Sequence, residues 1–250
     1  MNQLVSIITP AFNSEKYIEA TIASVQAQTY QNWEMIIIDD CSKDKTIKIV
    51  KEIILKDNRI KLIQLTENAG SGIARNKGIE RASGSYLTFL DADDIWLPNF
   101  ISASIENILV KNVPFVFSSY KRSNEKLEFV YSDFIVPTKV GYWDVLKTNS
   151  ISCLTAFLDI ELLGKKYMPS IKKRQDMGLW LQYLKEIPYA YGIKEPLAIY
   201  RIRENSLSRN KWQLLKYQWD FYYNLENLGF LKTIYYLSHW AINGFLKYRN

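Results

Sequence analysis

Three carboxylates within four residues, Asp91, Asp93 and Asp94, follow the apolar run Tyr86-Leu-Thr-Phe-Leu90. Anions this close repel one another and lose hydration on burial, so they demand a counter-charge. A hard divalent cation, Mg2+ or Mn2+, that shares its shell with substrate phosphates would supply one. An acidic turn with Asp94 capping the next helix would use the same residues and need no ligand. A second pair, Asp39-Asp40, ends another apolar run, Glu34-Met-Ile-Ile-Ile38. A carboxylate there can accept from a base N–H or a ribose hydroxyl, whereas Ser42 and Asp44 just beyond it read as helix caps. Asp176 opens a helix behind the basic stretch Lys172-Lys173-Arg174, where it suits either a cap or a proton acceptor. The single histidine, His239, lies in an aromatic tail and is expected to pack there.

Alternating apolar segments position these groups. Strands are expected over residues 4–9 (ended by Pro10), 34–39, 60–65 and 86–90, with helices over 14–28 (capped by Ser14), 45–55 and 72–82. This alternation, with strands apolar throughout, predicts an α/β fold whose mostly parallel sheet is covered on both faces. Ligands bind such sheets beyond the carboxyl ends of the strands. Pro10-Ala11-Phe12, Asp39-Asp40 and the 91–94 cluster all lie at those ends. Gly70-Ser-Gly72-Ile-Ala-Arg75 nearly matches a dinucleotide fingerprint, but it lacks the third glycine and follows the wrong strand. A helix N-terminus beside Arg75 still suits a ribose or phosphate group.

The second half is less regular. Helices are expected over 99–110 and 142–147 and from Gln175 onward, and strands over 115–120, 127–131, 152–158 and 197–200. The expected division is a catalytic domain over 1–210, with a nucleotide-binding half (1–98) and an acceptor half (99–210), followed by an aromatic helical tail (211–250). The tail reads as two helices broken near Gly229, too polar to span a bilayer, which either pack on the domain or lie at a membrane interface.

With 250 residues, 48% of them hydrophobic and 23% charged, the chain is that of a folded globular protein. Its net charge of +6 gathers at Lys165, Lys166, Lys172, Lys173 and Arg174 and along the tail, which suits an anionic substrate or membrane surface. No nucleic-acid module is present in the sequence. Two distant cysteines, Cys41 and Cys153, and a start without a leader-like segment give the expectation of a reducing, cytosolic setting.

Read jointly, five segments resemble the ordered motifs of family 2 glycosyltransferases over residues 4–205. They are Val5-Ser-Ile-Ile-Thr-Pro-Ala-Phe-Asn13, Gln28-Thr-Tyr-Gln-Asn-Trp-Glu34, Asp39-Asp-Cys-Ser-Lys-Asp-Lys-Thr46, Ala74-Arg-Asn-Lys-Gly78 and Leu90-Asp-Ala-Asp-Asp94. The resemblance implies the GT-A fold, most like bacterial enzymes of O-antigen, capsule and teichuronic acid assembly. It implies inverting transfer of a hexose or N-acetylhexosamine from a nucleotide-sugar, UDP-linked, with Mn2+ or Mg2+. The acceptor it implies is a glycan or an undecaprenyl-diphosphate-linked sugar at the inner face of the membrane. Carried over by position, Asp40, with Asp39 and the Pro10 backbone, serves the base, and Phe12 ends the same strand. Arg75 and Asp91 lie by ribose and phosphates, Asp93 holds the metal, and Asp176 is the catalytic base. Gln175-Asp176 stands where the family has Glu-Asp. Tyr200-Arg201-Ile202-Arg203 stands where the family has Tyr-Arg-x-His, so a nitrogen ligand is lost and Arg201 or Arg203 is left to meet the diphosphate.

Two other readings share these features. A sugar nucleotidyltransferase would carry a glycine-rich, Arg-bearing loop where this chain has Pro10-Ala-Phe-Asn-Ser14. A non-catalytic binding module would be expected to lack Asp93 or Asp176, and both are present.

Overall fold

The computed structural model describes residues 3–129, 131–202 and 211–247. Its first half is a run of strand–helix units: β1 (Val5–Ala11), α1 (Ile18–Gln26), β2 (Trp33–Asp39), α2 (Thr46–Ile54), β3 (Ile60–Gln64), α3 (Ser71–Arg81) and β4 (Tyr86–Phe89). These strands pair in parallel in the order β3-β2-β1-β4. Alternate residues feed opposite cores. Ile8, Ile36, Ile38, Leu87 and Phe89 pack on one face, and Val5, Ile7, Met35, Ile37 and Tyr86 on the other. Both faces are therefore dry, which is why these strands read as unbroken apolar runs. Helix α3 lies close on the first face, because a Cβ at Gly78 would clash with Ile8 and Ile38.

Two local expectations fail here. Pro10 does not end β1, since it pairs with Ile38 inside the ladder. Ile8 O accepts from Leu90 N and Ala11 O from Asp40 N, so by alternation Pro10 faces the β4 side just past the end of β4, where no amide is needed. Ser14 is not the cap of α1. Its amide donates to Thr46 Oγ1, its carbonyl accepts from Tyr17 and Ile18, and a turn precedes the helix.

The second half adds β5 (Ile95–Trp96), α4 (Phe100–Lys111), β6 (Phe115–Ser123), β7 (Lys139–Val140), α5 (Tyr142–Lys147), a 3₁₀ turn (Cys153–Thr155), β8 (Phe157–Asp159), α6 (Ile160–Leu163), α7 (Gln175–Leu184) and β9 (Ala190–Arg201). The sheet continues β4-β8-β6-β9-β5, with β8 antiparallel to both neighbours, so the whole sheet is mixed. The strand expected over 127–131 does not form across 127–129. Asn124 to Leu127 make a turn with Leu127 at φ 65°, Phe129 and Tyr131 stay exposed, and only Tyr120 and Phe134 bridge. Val130 lies outside the described residues. The strand expected over 152–158 shrinks to β8 because its first part coils into the 3₁₀ turn.

The tail comprises α8 (Lys211–Asp220), a π-type turn (Phe221–Leu225) and α9 (Phe230–Lys247), broken at Gly229, whose φ is 73°. It packs on α5 and α7. Tyr222 Oη donates to Leu146 O at 2.6 Å, Tyr142 Oη to Glu226 at 2.6 Å, and Lys185 pairs with Glu226 at 2.9 Å. Tyr236 stacks on Trp143. Among the described residues no helix is long and apolar enough to cross a membrane.

Candidate active site

The acidic loop leaves β4 at the middle of the sheet and is pinned from three sides. Leu90 N donates to Ile8 O, Thr21 Oγ1 of α1 donates to the carbonyls of Ala92 and Asp94, and β5 just beyond pairs with β9. Asp94 is buried, and its Oδ1 accepts the Arg201 amide at 2.8 Å. Burial, then the charges of Asp93 and Asp91, push its carboxyl well above the usual range.

Asp91 pairs with Nη2 of Arg75, which comes from the first turns of α3. Burial opposes the charge on that guanidinium, but Asp91 above all, with Cys153 and Asp176, outweighs it and raises its pKa. Helix α3, the acidic loop, the 3₁₀ turn and α7 thus meet at one point. Asp176 sits in the first turn of α7, and its Oδ2 accepts from Asn149 Nδ2 at 3.3 Å. Its neighbour Gln175 turns back, donating Nε2 to Ile171 O at 2.7 Å, and fills the space over Gly72, where a Cβ would sit 2.7 Å from its Cδ. The two helix starts lock together through that contact.

Cys153 is a site neighbour the sequence did not reveal. Burial raises its thiol pKa, Arg75 opposes the shift, and Asp91, Asp176 and Asp94 add to it. No motif spacing could have found it, because only the tertiary fold brings residue 153 to residues 75, 91 and 176.

On the β1–β2 side, Asp39 is buried. Its Oδ2 accepts the Ser42 amide at 3.0 Å while its Oδ1 has no partner. Asp40 accepts the amides of Ala69 and Gly70 at 2.7 and 2.8 Å, tying the end of β2 to the loop before α3. Gly70 there has φ 88°, a conformation that L side chains rarely adopt. Of the two expected caps, Asp44 holds the Thr46 amide and hydroxyl at the start of α2. Ser42 instead accepts the Asn13 amide, closing the β1 and β2 ends together. Phe12 is exposed at the end of β1. Arg201 is buried with its guanidinium 4.7 Å over the Tyr17 ring, and Arg203 lies outside the described residues.

Asp39 Oδ1, Arg75 Nε and Arg201 Nε are buried polar atoms without a hydrogen-bond partner, and all three belong to groups at this edge. They are three of ten such side-chain atoms among the described residues, each costing about 1–3 kcal/mol, and a polar ligand at this edge would satisfy these three. Two guanidinium donors suit a diphosphate. The donor set also fits a hard divalent cation. Among the described residues no three acidic, Cys or His side chains form a closed cage. Mg2+ and Mn2+ bind instead through one or two carboxylates plus substrate phosphates, and the oxygen donors of the loop after β4 are of that kind.

A parallel half with acidic strand ends, continued by a mixed half whose helix α7 brings a carboxylate to the same edge, is the layout of the GT-A class of sugar-nucleotide transferases. The Glycosyl transferase family 2 model matches residues 6–158, and the chain belongs to that family. It is similar to the putative teichuronic acid biosynthesis glycosyltransferase TuaG of Bacillus subtilis, with 40% identity over 98% of this chain and 97% of that one. It also resembles the UDP-Glc:alpha-D-GlcNAc-diphosphoundecaprenol beta-1,3-glucosyltransferase WfgD of Escherichia coli, with 38% identity over 98% and 95%. Among solved structures, residues 1–349 of S. aureus TarS superpose with a TM-score of 0.71 at 20% identity, covering 95% of this chain and 70% of that one. The mannosyltransferase PcManGT of Pyrobaculum calidifontis, in complex with GDP-Man and Mn2+, gives 0.59 at 17%, covering 86% and 63%. At these identities the solved structures show the shared fold.

Proposed function

We propose that this glycosyltransferase moves a hexose or N-acetylhexosamine from a UDP-linked donor to a sugar carried on a lipid diphosphate, with inversion at the anomeric carbon. The meeting of Asp176 with the Arg75–Asp91 pair at one sheet edge carries the reading. The names of the relatives support the substrates: WfgD is a UDP-Glc transferase acting on a diphosphoundecaprenol-linked GlcNAc.

In this reading Asp176 takes the proton from the acceptor hydroxyl, whose oxygen forms the new bond to C1 as the bond to the UDP oxygen breaks. Asn149 orients the base. Asp39 and Asp40, with the Pro10 backbone and Phe12, border the nucleoside, and Asp39 Oδ1 is the atom there still able to accept. Arg75, steered by Asp91, meets ribose and phosphates, and Arg201 and Arg203 meet the diphosphate. Asp93 is the metal ligand of this scheme; Mn2+ or Mg2+ bound there offsets the charge of the departing diphosphate.

The working division follows the chemistry, with a donor half over 1–98, an acceptor half over 99–210 and a tail over 211–250. We place the enzyme at the cytoplasmic face of the membrane, held by the tail. On α9, Leu231, Ile234, Tyr235 and Ile242 share an exposed face while Thr233 and Tyr236 are buried, and Lys232 flanks that face. Such a face, with basic residues near it, suits the surface of an anionic bilayer.

Nucleotide release from UDP-, GDP- and dTDP-sugars with a short lipid-diphosphate acceptor tests the reading. UDP should be released with Mn2+ or Mg2+, lost in EDTA and restored by metal, and Asp93→Ala should lose nearly all turnover at an unchanged fold. Full activity in chelator would remove the metal from the scheme, and release from no donor would remove the transferase reading itself.

A further inference from the structure

Five cations crowd residues 165–174, and the structure sorts them. Lys165 Nζ donates to Ala82 O at 2.6 Å, and Lys166 pairs with Glu186 at 2.7 Å. Arg174 gives Nε to Gln218 Oε1 at 3.0 Å and lies 5.6 Å from the Trp240 ring. Lys172 and Lys173 make no hydrogen bond, ion pair or ring contact among the described residues.

The segment that carries these two lysines is not loose. Ile171 packs against the core, and Gln175 Nε2 closes back onto Ile171 O, so residues 171–175 form a closed turn. Arg174, at φ 67°, hands the chain into α7, and Gly178 N donates to its carbonyl at 2.9 Å. Gln218, buried in α8, and Trp240 in α9 hold Arg174 from the tail. Two uncommitted ammonium groups are thus displayed by a braced turn three and four residues before Asp176. Extended chain of that length spans at most about 14 Å, and the closed turn is shorter.

We propose that Lys172 and Lys173 seat the diphosphate of an anionic acceptor, a sugar-diphosphate ester, while its hydroxyl is presented to Asp176. The inference rests on the transferase reading above. An anionic acceptor approaching Asp176 meets the negative field of Asp91, Asp93 and Asp94, so it needs cations where its own charge will lie. The guanidiniums of Arg75 and Arg201 are buried at the donor edge and are engaged by Asp91 and Tyr17. The two lysines precede Asp176 by four and three residues on the turn that leads into α7. A lysine is a strong point-charge partner for phosphate oxygens, and at a partly exposed site its attraction weakens with salt.

The test measures binding and transfer by the full chain in lipid-free buffer. Two short-alkyl probes are compared: an N-acetylhexosamine 1-diphosphate ester and the neutral glycoside of the same sugar. The wild type should prefer the diphosphate ester. In Lys172→Ala/Lys173→Ala the ratio of affinities should fall about 10- to 100-fold, as expected for one or two lost charge-assisted contacts, and Lys172→Arg/Lys173→Arg should keep most of it. An unchanged ratio overturns the proposal, as does a wild type with no preference for the ester. Loss of binding to anionic vesicles at an unchanged ester ratio also overturns it, assigning the lysines to lipid headgroups. Calorimetric binding of the ester reads the seat even if no sugar is transferred, so failure of the transferase reading shows separately as absent turnover.

Discussion

The carboxylates in the loop after β2 and the carboxylate that opens α7 are held in different ways. Asp40 accepts two backbone amides, and Asp44 accepts two amides and a hydroxyl. Asp176 accepts one 3.3 Å bond from an asparagine, at the mouth of an irregular half whose β6–β9 pairing shifts register twice. The difference is chemical. A carboxylate held by several amide hydrogens is fixed in place, whereas one with a single long bond keeps lone pairs for another partner. Position is built at Asp40 and Asp44, and accepting capacity is left open at Asp176.

The largest expected effect breaks the reactive side. Asp176→Asn keeps size and capping ability but cannot take the proton. Turnover should fall on the order of 10²–10⁴-fold with donor affinity and melting temperature retained; near wild-type turnover would leave Asp176 as a structural acceptor for Asn149. Asp40→Ala tests the structural side by the opposite signature. Two amides lose their acceptor, so chemical denaturation should report a loss of about 2–4 kcal/mol, and unchanged stability would show that the saturation holds nothing.

Glu34 sharpens the same contrast through pH. Burial alone would raise its carboxyl, but hydrogen bonds from Lys61, Ser6 and Ser83 outweigh burial and hold it at about 2, down from 4.5. A lowered carboxylate pKa adds stability that is full above the unfolded value and lost as pH falls through the folded one. Stability should therefore drop between about pH 4.5 and 2, and Glu34→Gln should flatten that limb in acid titrations of the melting temperature. The smallest effect concerns the tail. Flotation with anionic vesicles at low salt should carry the protein and weaken as salt rises, and Leu231→Asp/Ile234→Asp should reduce it. A protein that stays unbound at low salt would make the exposed face of α9 ordinary surface.

The same asymmetry set what could be read in advance. Strands dry on both faces are continuous apolar words, so the first four strands and the helices between them were legible to within a residue or two, apart from the start of α1. Strand β9 was read only over 197–200, because Gly192, the charged pair Lys194-Glu195 and Pro196 interrupt it where the ladder shifts. β5 and β7 are two residues each and carry no period. The strand expected over 127–131 rested on apolar residues that the fold leaves exposed. The acidic cluster announced itself by charge density alone. Asp176 was legible as a base only through the family resemblance, since its partners Asn149, Cys153 and Arg75 are scattered along the chain. His239 packs beside Tyr235, ring centres 4.6 Å apart, as a tail residue should.

The bond from the Arg201 amide to Asp94 joins residues 107 apart in sequence. During synthesis the first half emerges first and can pair β1 to β4 and tether the acidic loop through Thr21 and Ile8, but its tie to β9 forms only when that strand arrives. Long-range closures of this kind are slow steps in folding. A ribosome that stalls before residue 201 thus leaves the acidic loop without that bond.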